Sequence, residues 1–284
     1  ALLYDRQELA IIALVGGFAA PFMVSSNTGN FKSLFTYLVI LNTGLLVLAY
    51  FKSWRLLNLL AFIFTVILFG GWVFSIPGDS LPGLFKSGLL FASIFYCLFF
   101  AINIAHNIKE NKKFIASDFG ILLANTALYS SVGMYFLYKM HAEQYQGLFS
   151  IIMAITNLAA SYLFFRNKKI DTNILYLLIG ITLTFISLTA PIQIHGNFIT
   201  LFWASEAVLL YWLYGKARLP IIRWSSFLVL GAALLSLLMD WSAIYAEGFK
   251  TSLPILFNKG CLTGVYTGLA FFFFYFLVRK KEPK

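Results

Sequence analysis

Long apolar runs and short polar breaks alternate along the whole chain. A helix that crosses the roughly 30 Å hydrocarbon core of a bilayer needs about 20 mostly apolar residues. Ten runs approach or reach that length: 9–26, 31–51, 56–76, 85–107, 115–138, 147–165, 172–194, 198–214, 224–245 and 256–278. The pattern predicts an all-α fold, a polytopic bundle of about ten transmembrane helices forming a single transmembrane domain over 1–284. The first run contains Gly16, Gly17 and Pro21, so it is expected to be short, kinked or partly re-entrant. The eighth is short at 17 residues but holds no helix breaker.

The polar breaks carry a charge signature. Lys52 and Arg55 follow run 2, Lys109, Lys112 and Lys113 follow run 4, and Arg166, Lys168 and Lys169 follow run 6. Lys216, Arg218 and Arg223 follow run 8, and Arg279, Lys280, Lys281 and Lys284 follow run 10. With Arg6 these make 16 basic residues on one side, against Lys32, Lys86, Lys139, Lys250 and Lys259, 5 in all, on the other. Cytoplasmic loops of membrane proteins carry the excess of Lys and Arg. The split therefore predicts that both ends of the chain are cytoplasmic and that the number of spans is even.

The basic turns recur. Lys52, Lys109, Arg166, Arg223 and Lys280 stand 57 residues apart, the length of two spans and two short loops. The expected unit is a helical hairpin that enters from outside and turns on a basic cytoplasmic loop. A second pattern agrees. Ala20-Pro21 is followed by Gly29-Asn30-Phe31-Lys32-Ser33-Leu34-Phe35, and Ala190-Pro191 by Gly196-Asn197-Phe198-Ile199-Thr200-Leu201-Phe202. Both copies precede an inward-going run, six spans apart, as a parallel repeat. Two inverted five-helix halves would put equivalent motifs on opposite faces, so that architecture is disfavoured.

Composition fits a lipid environment. Of the 284 residues 60% are hydrophobic and 11% charged, where a soluble domain carries about 25% charged residues. The formal net charge of +10 does not point to nucleic acid, because the basic residues sit in clusters between apolar runs, not along one face. Membrane lipids, and possible further membrane subunits, are the expected partners. The cysteines Cys97 and Cys261 lie inside apolar runs with no Cys or His at ligand spacing, so they read as packing residues. No cofactor or metal site is expected. The N-terminal residues do not form a signal peptide, and with Ala at position 1 the chain is expected to be a segment of a longer protein.

Several stretches resemble a known family. Gly16-Gly17-Phe18-Ala19-Ala20-Pro21-Phe22, Leu34-Phe35-Thr36-Tyr37-Leu38 through Leu41-Asn42, and Trp54-Arg55-Leu56-Leu57-Asn58-Leu59-Leu60 are similar to domain of unknown function 2339. So are Pro191-Ile192-Gln193, Gly196-Asn197, Ile199-Thr200-Leu201-Phe202-Trp203-Ala204 and Glu206. The similarity is clear over about 9–75 and 174–240 and weak between. It implies a multi-pass protein of the bacterial inner (cytoplasmic) membrane and carries no catalytic or binding residues with it.

Glu206 is the sharpest candidate for function. It is the ninth of 17 residues in run 8. A charged side chain at that depth costs about 2.5–3.5 kcal/mol on insertion scales, so it faces the bundle or a wet cavity, or is protonated. It reads as a proton or cation site or a substrate contact, or else as a neutral Glu bonded to a neighbouring helix. Trp203, one turn earlier, either lines the same cavity or simply packs. Asn42, Asn103, Asn125 and Asn157 also lie within runs. Asn42 stands ten residues before Lys52, Asn103 ten before Lys113, and Glu206 ten before Lys216. They form either a polar track at common depth or interhelical hydrogen bonds of about 0.6 kcal/mol each.

Asp240, beside Trp241 near the outer end of run 9, reads as an interfacial residue with an aromatic anchor. Gly260, Gly264 and Gly268 form a small-residue stripe, either an oligomer or partner interface or an internal contact with run 1 or run 9. His106, His141 and His195 are isolated, and no catalytic or nucleotide-binding motif is present. The outer loops hold Asp79, Glu143 and Glu247 as acids, thin support for an enzyme. Three functions stay open: transport of a small solute or ion, an accessory subunit of a cell-envelope complex, and an enzyme acting on envelope lipids or glycans.

Overall fold

The computed structural model describes residues 7–24, 30–51, 54–77, 81–110, 116–166, 172–194, 196–247 and 258–281. Among these there is no strand. Ten α-helices follow in order: α1 (Gln7–Val24), α2 (Phe31–Phe51), α3 (Arg55–Ser75), α4 (Pro82–Glu110), α5 (Ala116–Lys139), α6 (Gln146–Arg166), α7 (Thr172–Gln193), α8 (Asn197–Ala217), α9 (Pro220–Glu247) and α10 (Lys259–Lys281). Nine of the described helices are long and apolar enough to cross a membrane, and α1 offers a shorter apolar stretch, Gln7–Pro21.

Local chemistry sets several helix ends. Pro82 and Pro220 open α4 and α9, where a missing N–H costs nothing and the fixed φ is already helical. Asn30 precedes α2, and its side-chain oxygen accepts from the Ser33 N–H at 3.4 Å. Arg218 closes α8 in the left-handed region at φ 58°, its N–H donating to the Tyr214 carbonyl. That extra turn carries α8 to 21 residues, longer than the apolar run at 198–214, because Tyr214 to Ala217 continue the backbone ladder past the last strongly apolar position.

The chain divides into two compact units, residues 1–143 with 167–174 and residues 144–166 with 175–284. In the first unit, α4 packs against both α2 and α5, and α3 contacts α1, α2, α4 and α5. Its centre is aromatic. Phe35 is fully buried, with the rings of Trp72, Phe69 and Phe91 at 5.0, 5.1 and 5.4 Å. Lipid tails are as apolar as the side chains, so helix association in a membrane rests on such packing and on interhelical hydrogen bonds.

In the second unit, α8 packs against α9 and α10. Small residues Ala204, Ala233 and Ala270, one from each helix, form a buried contact that brings the three together. The ring of Phe274 fills the next layer, 4.8 Å from Tyr211 and 5.3 Å from Phe227. Helix α6 joins α7 through the Ser150 hydroxyl, which donates to the Phe185 carbonyl at 3.0 Å, and through the Gly147 N–H, which donates to the Gln193 side chain at 3.1 Å. Large apolar side chains cover the outside of both units, Phe74 at 92% exposure and Phe165 at 70% among them. Such surfaces are stable in lipid and a liability in water.

Candidate functional site: the Glu206 carboxyl between helices α7 and α8

The site begins with a proline. Pro191 lies inside α7, and an α-helical carbonyl is normally bonded by the N–H four residues on. Proline has no N–H, so the Ser187 carbonyl loses its helical partner. The Trp203 indole N–H of α8 donates to it at 2.9 Å. The same turn of α7 also offers the Ser187 hydroxyl, which donates to Glu206 Oε1 at 2.7 Å. Glu206 is buried at 6% exposure, and its second oxygen, Oε2, is buried with no hydrogen-bond partner among the described residues. It is the tenth of the 21 residues of α8, about 14 Å from the helix start at 1.5 Å per residue.

The first motif copy builds the same device without the acid. Pro21 lies inside α1 and removes the partner of the Gly17 carbonyl. The Tyr37 hydroxyl of α2 donates to that carbonyl at 2.8 Å. In both copies an aromatic side chain of the following helix satisfies the carbonyl that the proline exposes. Gly17 stands where the second copy has Ser187, and α2 contains no Asp or Glu.

Asn42 of α2 donates to the Thr65 hydroxyl of α3 at 3.0 Å. Asn103 of α4 donates to the Asp118 carbonyl of α5 at 2.7 Å, and Asn125 of α5 donates back to the Tyr96 carbonyl of α4 at 3.0 Å. Asn157 donates to Met153 of its own helix α6 at 2.8 Å. Asn103 and Asn125 thus serve the α4–α5 contact, Asn42 the α2–α3 contact and Asn157 its own helix, whereas Glu206 and Trp203 meet at Ser187. Two cavities lie in the first unit, and neither has Glu206 in its lining.

Around the same helix α8 lie contacts to α9 and α10. The fully buried Thr200 donates to Asp240 Oδ2 at 2.5 Å and lies 2.6 Å from the Ser236 hydroxyl. Asp240 is therefore tied to α8 as well as standing near the end of α9. Asn197 donates to Thr263 of α10 at 3.0 Å. The Trp241 indole donates to the Gly260 carbonyl at 3.0 Å. A Cβ at Gly264 would stand 2.9 Å from the Trp241 ring, and one at Gly260 3.2 Å from the Tyr245 hydroxyl, while one at Gly268 would meet nothing within 4 Å. The first two glycines of the stripe form a close approach to α9.

Ser187, Thr200 and Ser236 escape a reading of the sequence for acids and amides, which picks out Asp240 only as an interfacial residue. Their signal was present: Thr200 belongs to the repeated motif, and Ser187 is four residues before a helical proline. His141 is exposed at φ 52°, and Glu143 lies in an exposed 3-10 turn, Glu143–Tyr145. Asp79 and His195 lie outside the described residues, and the side chains of His106 and Glu247 are likewise not described. Cys97 is exposed and Cys261 half-buried, both as free thiols. Among the described residues no three His, Cys, Asp or Glu side chains are grouped to hold a metal ion.

Apolar helices of spanning length, apolar exteriors and buried amides bonded between helices define a multi-pass integral membrane protein. The chain belongs to the family described as predicted membrane protein, DUF2339, whose model matches residues 1–282. The family match thus extends across the stretch where the sequence resemblance is weak. No curated protein and no solved structure matches the chain.

Proposed function

We propose that this protein moves a small solute or ion across the membrane and that a proton held by Glu206 is coupled to that movement. The observation that carries the reading is the pair of motif copies. The Tyr37 copy satisfies its proline-exposed carbonyl with no acid. The Trp203 copy does the same and adds a buried carboxyl with one oxygen on Ser187 and the other without a hydrogen-bond partner among the described residues. Packing α7 on α8 therefore does not require Glu206. The Glu206 carboxyl accepts from the Ser187 hydroxyl, a donor, and among the described residues no three His, Cys, Asp or Glu side chains are grouped to hold a metal ion, whereas a hard cation takes several oxygen ligands. That chemistry suits a proton. Pro191 leaves the end of α7 with a broken backbone ladder, which supplies a hinge for exposing the carboxyl.

The bias of basic residues, 16 to 5, supports a cytoplasmic-membrane orientation with both ends of this segment inside the cell, and the resemblance of the motifs supports a bacterial source. The test is a pH jump on proteoliposomes adsorbed to a solid-supported membrane. Wild-type protein is expected to give a transient current that Glu206→Gln abolishes and Glu206→Asp partly keeps. A wild-type trace equal to that of empty liposomes, from protein shown to be folded, overturns the reading.

A further inference from the structure

The seam where α8, α9 and α10 converge holds a polar layer that the Glu206 reading does not use. Residues three, four and seven apart share one face of a helix, and the contacts along this seam follow that spacing. Ala204, Ala233 and Ala270 touch at one level. Toward the start of α8, Asn197 donates to the Thr263 hydroxyl of α10 at 3.0 Å. Between these two levels Thr200 of α8 meets Ser236 and Asp240 of α9. Thr267 of α10 belongs to this middle layer, because it lies one turn from Thr263 on one side and from Ala270 on the other, on the face that both present to α8. The Trp241 indole on the Gly260 carbonyl holds α9 to α10 at the same end.

The chemistry of the layer is oxygen throughout. Thr200 is fully buried and donates to Asp240 Oδ2 at 2.5 Å, so in its 2.6 Å contact with Ser236 it is the serine that donates. Both protons therefore run toward the carboxylate. A hydroxyl oxygen has two lone pairs beside its proton, so Ser236 and Thr200 each keep one to offer. Thr267 is 1% exposed, and its hydroxyl has no hydrogen-bond partner among the described residues. No Lys, Arg or His among those residues pairs with Asp240. Ionisable groups between membrane helices are costly and normally paired. The first motif copy lacks this layer, since Ser33, the counterpart of Thr200, is exposed. Helix entry at the motif therefore does not require it.

We infer that this layer binds Na+, held by the Asp240 carboxylate and the hydroxyl oxygens of Ser236, Thr200 and Thr267. Hard cations take oxygen ligands, and the number of charged ligands tunes affinity. One carboxylate among neutral hydroxyls balances a monovalent ion and is too little charge for Ca2+. Oxygens this closely spaced favour Na+ over the larger K+. Asp240 is only half-buried, which gives the ion a way in and leaves room for water to complete its shell.

The experiment measures binding of radioactive 22Na+ to the full chain in mild detergent by scintillation proximity. It needs no transport, so a missing pH-jump current overturns the Glu206 reading and leaves this one standing. The wild type should bind saturably, with unlabelled Na+ displacing the label and equal K+ or Ca2+ failing to do so. Asp240→Asn should abolish binding. Thr267→Val keeps the buried shape and removes only the oxygen, so it should weaken affinity about tenfold, equal to about 1.4 kcal/mol, and it decides the question if Asp240→Asn does not fold. No saturable binding by folded wild type, or wild-type affinity in Asp240→Asn or Thr267→Val, overturns the site. Displacement by K+ or Ca2+ as effective as by Na+ overturns the choice of ion.

Discussion

At the scale of single residues, the decisive group is a carbonyl. Pro191 removes the N–H that would bond the Ser187 oxygen, and the Trp203 indole replaces it across the helix contact. A buried acceptor left without a donor costs about 1–3 kcal/mol. Trp203→Phe, which keeps a ring and deletes the N–H, should therefore destabilise the protein by about that amount. Pro191→Ala restores the backbone donor, so Trp203→Phe in that background should cost clearly less. A double-mutant cycle read by thermal unfolding in detergent checks this, and equal penalties in the two backgrounds would refute it. Glu206 itself was legible from its position among apolar neighbours. Its partner Ser187 was not, because a serine in an apolar run has several uses and only the proline four residues later makes its carbonyl special.

At the scale of elements, helix existence followed from apolar length. Helix ends did not, because they depend on single residues such as Pro82, Asn30 and the left-handed Arg218. The glycine stripe of α10 shows the same limit. Its spacing says that a close approach occurs, but not with which helix, and both alternatives stood open in the sequence. The structure places Gly260 and Gly264 against Tyr245 and Trp241 of α9. Gly264→Ala should then overpack that contact by about 1–3 kcal/mol, because the Trp241 ring is held by its bond to the Gly260 carbonyl. Gly268→Ala, whose Cβ meets nothing, should be neutral or stabilise by up to about 1 kcal/mol, as alanine does in a helix interior. Melting temperatures of the two variants separate an α9 contact from a stripe with no fixed partner.

At the scale of the whole molecule, apolar length and the spacing of basic turns made a ten-helix membrane fold readable from one sequence. The use of its polar groups was less readable. Asn42, Asn103, Asn125 and Asn157 are equal in hydropathy, yet three bond across helix contacts and one bonds its own helix. Hydropathy records depth and not direction, so a common depth does not by itself make a common track. The repeated motif proved more informative, because it offers an internal comparison of one helix pair with an acid and one without. That comparison underlies the central claim that the fold does not need Glu206. The stability of Glu206→Leu beside the wild type tests it most directly. An acid at mid-helix costs about 2.5–3.5 kcal/mol on insertion scales, so the variant is predicted to melt at or above the wild-type temperature while losing the pH-jump current. A melt several degrees below wild type, or a current that survives, would contradict the account.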